Sequence, residues 1–206
     1  MKKPTFEDIE KVMRELVMPF YATERAVPLL SPVSPRRHEN DAEHSWSLAL
    51  IACMLAPHID AKLDTGMICQ FAVVHDLAEV HAGDTSAFAK DDDHQTKEER
   101  EHQALKRIKK DFAHLPWIGK MLEAYERQDT EEARFVRSID KMIPLFQDYI
   151  SEGVYYRENK HTQEDFVRFM QRPRDKAKIH PGAFAYHEEI FEVLLAHPEF
   201  FHTGKK

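Results

Sequence analysis

Two histidines and two aspartates stand out for where they lie. His44 sits in the apolar run AEHSWSLALIACML, and His75 and Asp76 end a second apolar run that begins at Ile68. Asp140 interrupts a third, FVRSIDKMI. An imidazole in apolar surroundings loses hydration at a cost of roughly a few kcal/mol, and an ionised carboxylate costs more, unless it is paired or bound to a cation. Two imidazoles and two carboxylates on three helices would make a mixed nitrogen–oxygen metal site, suited to Mn, Fe, Co, Ni or Zn, with room in an octahedral shell for water and substrate oxygens. The plainer alternative is a pair of satisfied core histidines. A His–Asp dipeptide alone weighs little in a chain with 13 His.

The elements that must position these residues follow a helical period. Thr5 with Asp8 resembles a capping box, followed by Phe6, Ile9, Met13, Leu16, Val17 and Phe20 at helical spacing. Residues 42–55 are apolar nearly all round, as a buried helix is. Asp64 offers an N-cap for a helix through Leu77, with Gly83 as its C-terminal stop. Further helices are expected at about 96–110, 116–127, 130–151, 163–170 and 183–196, with Pro144 leaving the Asp140 carbonyl without its usual helical partner. The segment from Pro28 to Asn40, with three prolines and no periodicity, reads as a loop, and the charged stretch KDDDHQTKEERE as a solvated entry to a surface helix. No alternating strand pattern, hairpin dipeptide or internal repeat is found. These signs predict an all-α, single-domain helical bundle over 1–206.

Composition bounds the rest. The chain has 206 residues, 42% hydrophobic and 32% charged, with 13 Phe and only 6 Gly, which excludes a disordered or fibrous chain. A net charge of −7 argues against a nucleic-acid polymer as partner. Cys53 and Cys69 lie in apolar runs and read as buried thiols in a reducing compartment. The N-terminus lacks the apolar stretch of a signal peptide and no run is long enough to span a membrane, so the expected setting is cytoplasmic. Most other histidines, including His58, His94, His102, His114, His161, His180, His197 and His202, are expected on loops or polar faces.

The ordered set His44, His75–Asp76 and Asp140 resembles the H…HD…D signature of the HD-domain metal-dependent phosphohydrolases. The surrounding strings ENDAEHS, HDLAE followed by Gly83–Asp84, and IDK are similar to the branch of bacterial 5′-deoxynucleotidases and their eukaryotic HD-domain relatives. The resemblance covers a core of about 5–151, with a helical extension over 152–206. It implies that His44, His75, Asp76 and Asp140 hold one divalent ion (Co, Mn, Fe, Ni, Zn or Mg), and that Glu79 and Asp84 act on the nucleophile and leaving group. Glu79 is four residues after His75, on the same helical face, and Asp84 follows Gly83 where a loop can lean over the metal. Glu79 precedes Val80 rather than an acid, and the chain lacks a Gly–Lys pair soon after His–Asp, which separates it from alarmone hydrolases and cyclic-dinucleotide phosphodiesterases.

The branch places an Arg–Trp pair upstream of the first ligand; here that place falls near Leu29–Leu30. Arg37 matches an arginine of the family's Arg-x-Glu-Asn string and is the expected phosphate contact, with Arg36 or Arg25 in reserve. The resemblance implies removal of phosphate from (deoxy)nucleoside 5′-monophosphates by a homodimer acting on a small-molecule nucleotide, with the C-terminal helix around Phe184, Tyr186, Ile190, Phe191, Leu194 and Leu195 as a possible partner surface. The alternatives are a triphosphohydrolase releasing tripolyphosphate and, in another class, a non-catalytic helical module that binds metal or nucleotide.

Overall fold

The computed structural model describes the backbone of residues 3–31, 34–85 and 91–204, and the side chains of 3–25, 37–85 and 96–204. The N-terminal helix runs as α1 (Phe6–Val12), a π turn (Met13–Val17) and α2 (Met18–Ala22). Thr5 and Asp8 close the expected capping box on α1. Two strands follow, β1 (Glu24–Ser31) and β2 (Ser34–Asn40), paired antiparallel with Leu29 opposite Arg37 and Glu24 opposite Asn40. This hairpin corrects the expected loop. Its register shifts between Glu24 and Pro28 and again between Leu29 and Ser31, which erases the alternation a sequence reading needs. Prolines are tolerated because a two-stranded sheet is all edge.

The rest is helical: α3 (Asp41–Ile59), α4 (Thr65–Val74), α5 (Glu79–Ala82), α6 (Asp91–Asp111), α7 (Pro116–Arg127), α8 (Glu131–Ile150), α9 (Val154–Glu158), α10 (Gln163–Ala177) and α11 (Pro181–Leu195). The all-α expectation holds, with the hairpin added. Asn40 and Glu43 form a reciprocal cap on α3 (3.0 and 3.1 Å), which fixes the turn that carries His44. Asp64 caps α4 as expected, accepting from Gly66 N at 2.8 Å. Helix α8 runs unbroken through Pro144, a residue that has no N–H to offer the Asp140 carbonyl. The charged stretch enters α6, with 86–90 outside the described residues.

Core formation explains why α3, α4 and α8 lie together. Leu48, Ala52 and Ala56 of α3 meet Ile68, Phe71 and Ala72 of α4 and Phe135, Val136, Ile139 and Met142 of α8 in one buried cluster. The small alanines let the backbones approach closely, and each large apolar side chain removed from water stabilises by roughly 1.5–3 kcal/mol. The same cluster takes in Tyr156, Phe166, Ile190, Phe191, Leu194, Phe200 and Phe201, so the C-terminal helices pack on α3, α4 and α8. Ile190, Phe191 and Leu194 are buried here, which takes them out of the expected partner surface. Gly153 (φ 67) lets α9 approach the Phe200 carbonyl, where a Cβ would stand only 2.3 Å away.

Two smaller expectations change, those for His180 and Cys69. His180 is buried and caps α11, its Nδ1 accepting from Ala183 N at 3.2 Å. His187 is also buried, stacked between Phe184 and Phe191. Cys69 is exposed rather than buried.

Candidate metal centre

Helix α4 ends at Val74, and His75 to Ala78 form tighter turns, with Leu77 N bonded to Val74 O (3.0 Å) and Glu79 N to Asp76 O (2.8 Å). These are i→i+3 bonds, so successive side chains fan out at about 120°. His75 and Asp76 therefore leave the helix end in directions that converge on the same space as His44, from the first turn of α3, and Asp140, from the middle of α8. One ligand atom from each of the four lies within 4.8 Å of every other.

The hydrogen bonds orient the rings for coordination. His75 Nδ1 donates to the Ala72 carbonyl at 2.9 Å, which leaves the buried Nε2 with its lone pair facing the cluster. That atom lies 2.9 Å from Asp76 Oδ2 without hydrogen-bond alignment. His44 Nε2 meets Asp140 Oδ1 at 2.9 Å, while its Nδ1 lies 3.4 Å from Glu39 Oε2. A carboxylate behind a ligating imidazole is the usual second partner of a metal-binding histidine. The donor set fits a first-row divalent ion, and the unbonded His75 Nε2 is the atom an ion would satisfy.

The charges around the four clustered side chains are unusual for a buried site. Burial works against ionised Asp140, yet Lys141 (2.6 Å) and the two histidines outweigh it and hold its carboxyl well below the usual range. Burial likewise opposes ionised Asp76, and His75 and Arg25 overcome it. Glu79 goes the other way. Burial, then the Asp76 charge, push it well above the usual carboxylate range, with Lys97 at 3.4 Å as the opposing influence. Asp41 is pushed up to about 7 by burial and Asp76.

Arg25, held in reserve as a phosphate contact, is the surprise. Its Nη1 lies 2.7 Å from Asp76 and 3.5 Å from Asp41, and its Nε 3.7 Å from Glu39. Glu39 and Asp41 are buried partners of this network. Sequence reasoning missed them because Asp41 looks like an ordinary first-turn acid favoured by the helix dipole, and Glu39 meets Arg25, His44 and Gln147 only once the chain has folded.

Glu79 sits with Asp41 and Asp76, ligand atoms within 4.8 Å of one another. Asp84, half-buried beyond Gly83 (φ 73), is near enough for its charge to raise both Glu79 and Asp41. Arg37 is exposed and grips Glu43 through its two terminal guanidinium nitrogens; it is absent from the wall of the cavity beside His75, Asp76 and Asp140. The side chain of Arg36 lies outside the described residues. The cavity, about 320 Å³, is lined by His75, Asp76, Glu79 and Asp140, by the cations Lys97, Arg137, Lys141 and Lys176, and by the acids Glu98, Glu101 and Glu126. Tyr125 also lines it.

Two curated relatives are the 5′-deoxynucleotidase HDDC2 of Homo sapiens, 27% identical over 115 residues, and that of Xenopus laevis, 30% identical over 112 residues. The human match covers 54% of each chain and the frog match 53%, so the chain spans about half the length of the curated relatives it matches. The crystal structure of a predicted metal-dependent phosphohydrolase from Magnetospirillum magnetotacticum MS-1 superposes with a TM-score of 0.73 at 25% identity, covering 95% of both chains. The HD domain model matches residues 29–180, a span that includes His44, His75, Asp76 and Asp140, and the chain belongs to the HD domain family.

Proposed function

We propose that the chain is a metal-dependent phosphohydrolase that removes phosphate from (deoxy)nucleoside 5′-monophosphates. The observation that carries this is the convergence of His44, His75, Asp76 and Asp140 within 4.8 Å, with buried Glu79 beside them at the edge of an open cavity. The relatives' names, and the fold shared end to end with a metal-dependent phosphohydrolase, support the same reading.

In this reading His44, His75, Asp76 and Asp140 hold one divalent ion, which when bound supplies Lewis acidity to a phosphate oxygen and acidifies water. The protein's own groups do the rest. Arg25 and Lys141 hold Asp76 and Asp140 ionised, ready to bind a cation. Glu79, whose proton affinity burial has raised, takes a proton from the attacking water. Water adds to phosphorus, the bond from phosphorus to the 5′ oxygen breaks, and Asp84 guides a proton to the leaving alkoxide. The products are a nucleoside and orthophosphate. Arg37 could reach a phosphate only by leaving Glu43, so the cations already facing the cavity are better placed for that contact.

The reading also has the protein working as a cytoplasmic homodimer, one HD-type unit with the C-terminal helices as its extension. Among the described residues no helix is long and apolar enough to cross a membrane.

The test is a phosphate-release screen against nucleoside mono-, di- and triphosphates with Co, Mn, Mg, Ni or Zn added singly. Turnover of monophosphates is expected. Tripolyphosphate from a triphosphate, with monophosphates untouched, would replace this substrate class and leave the metal site standing.

A further inference from the structure

We propose that Lys176 is the anchor for the substrate's phosphate, acting with Arg137 and Lys141. The inference takes the identity of the anion, a phosphate monoester, from the phosphohydrolase reading above. It follows from how the cations around the cavity are employed. Lys141 is engaged with Asp140 at 2.6 Å, Lys97 with Glu79 and Glu101 at 3.4 and 3.3 Å, and Arg137 with Glu126 at 3.8 Å while stacking on Tyr125. Lys176 lines the same cavity and, among the described residues, forms no ion pair. It comes from α10, a helix that carries none of the four clustered ligands.

Its position is fixed rather than casual. The next residue, Ala177, is fully buried, and its carbonyl accepts the Ser138 hydroxyl at 2.7 Å. Ser138 stands two residues before Asp140 on α8, so this bond ties the base of Lys176 to the helix that bears a ligand. Burial, then the charges of Lys141, Lys97 and Arg137, lower the proton affinity of Lys176. Glu101 offsets these cations only in part, and a dianionic phosphate placed beside Lys176 relieves the repulsion that remains. An ammonium on a flexible stem suits this task, since it can follow the phosphate as the P–O bond breaks.

The experiment is calorimetric titration of inorganic phosphate into the full-length, metal-loaded protein, comparing wild type, Lys176→Ala and Lys176→Arg, alongside KM and kcat for a monophosphate. Loss of one charge-assisted contact is expected to weaken phosphate binding and raise KM by about tenfold or more, with a much smaller change in kcat. Lys176→Arg should restore most of the loss, and metal content should be unchanged in both variants. A phosphate Kd for Lys176→Ala within about twofold of wild type would overturn the assignment, as would a wild type that binds no phosphate. Because the titration needs no turnover, Lys176-dependent phosphate binding without nucleotide hydrolysis would keep the anchor and reject the substrate class instead.

Discussion

Arg25 Nη1 lies 2.7 Å from Asp76 Oδ2, so an arginine of the hairpin already occupies one side of a carboxylate in the ligand cluster. The guanidinium also stands within 4 Å of Glu39 and Asp41, both buried. Three acids share this one cation, two of them fully buried, so its removal would leave buried acids without their nearest positive charge.

Replacing Arg25 with Met should therefore destabilise the metal-free protein by about 3–5 kcal/mol, the cost of leaving buried charges unpaired. A divalent ion would supply positive charge to the same acids. Urea unfolding with and without Mn or Co should show the variant gaining more stability from the ion than wild type does. Equal gains would mean that Arg25 and the ion do not compete for the same carboxylates.

The ligand cluster and its neighbour Glu79 should separate by mutation. Asp76→Ala or Asp140→Ala removes a donor and should abolish both metal retention and turnover. Glu79→Gln keeps the shape and should retain the ion, while kcat falls by roughly 10²–10⁴-fold, the usual worth of a positioned base. Metal content by plasma emission and steady-state kinetics check both. An Asp140→Ala variant that hydrolyses nucleotides without metal would remove the basis of the mechanism.

How much of this could be read from the chain differs by residue. His44, His75, Asp76 and Asp140 were legible because each is a polar group in an apolar run, an anomaly that survives without coordinates. The caps at Thr5 and Asp64 were legible because capping is local. The hairpin was not, because proline and shifted register remove the period-two signal. Glu39, Asp41 and Arg25 were hidden for a related reason: their pairing spans up to 51 residues and exists only once that hairpin forms. Arg37, chosen by its place in a string, turns out to spend its charge on Glu43 six positions away.

Asp148 makes stability depend on pH. It is buried, and burial pushes its carboxyl up to about 7 although the Tyr156 hydroxyl donates to it. The folded state thus holds a proton that the unfolded chain gives up near pH 4. Stability from this group is complete below about pH 4 and is lost as pH rises through about 7. At about 1.4 kcal/mol per unit, the loss by pH 8 approaches ~4 kcal/mol as an upper bound. Asp148→Asn keeps an acceptor for Tyr156 and cannot ionise, so it should be more stable than wild type at pH 8 and no more stable at pH 4. Chemical denaturation across that range decides; parallel curves for the two proteins would place the titration elsewhere.

The proposed homodimer needs a face, and α3 offers one. Residues 45–57 contain no Asp, Glu, Lys or Arg, although only one side of the helix is buried. Trp46, Leu50 and Met54, spaced four apart, remain 68%, 52% and 53% exposed and form an uncharged stripe. Together they expose on the order of 400 Å² of apolar surface, the size of patch that marks contact sites. That is about half of the ~800 Å² per partner in a standard interface, and an uncharged stripe meets its own copy across a two-fold axis without like charges facing each other. Leu50→Glu sets two carboxylates against one another at such an axis. Sedimentation equilibrium should show wild type as a dimer and Leu50→Glu as a folded monomer with unchanged helicity. A variant that stays dimeric would move the contact off α3.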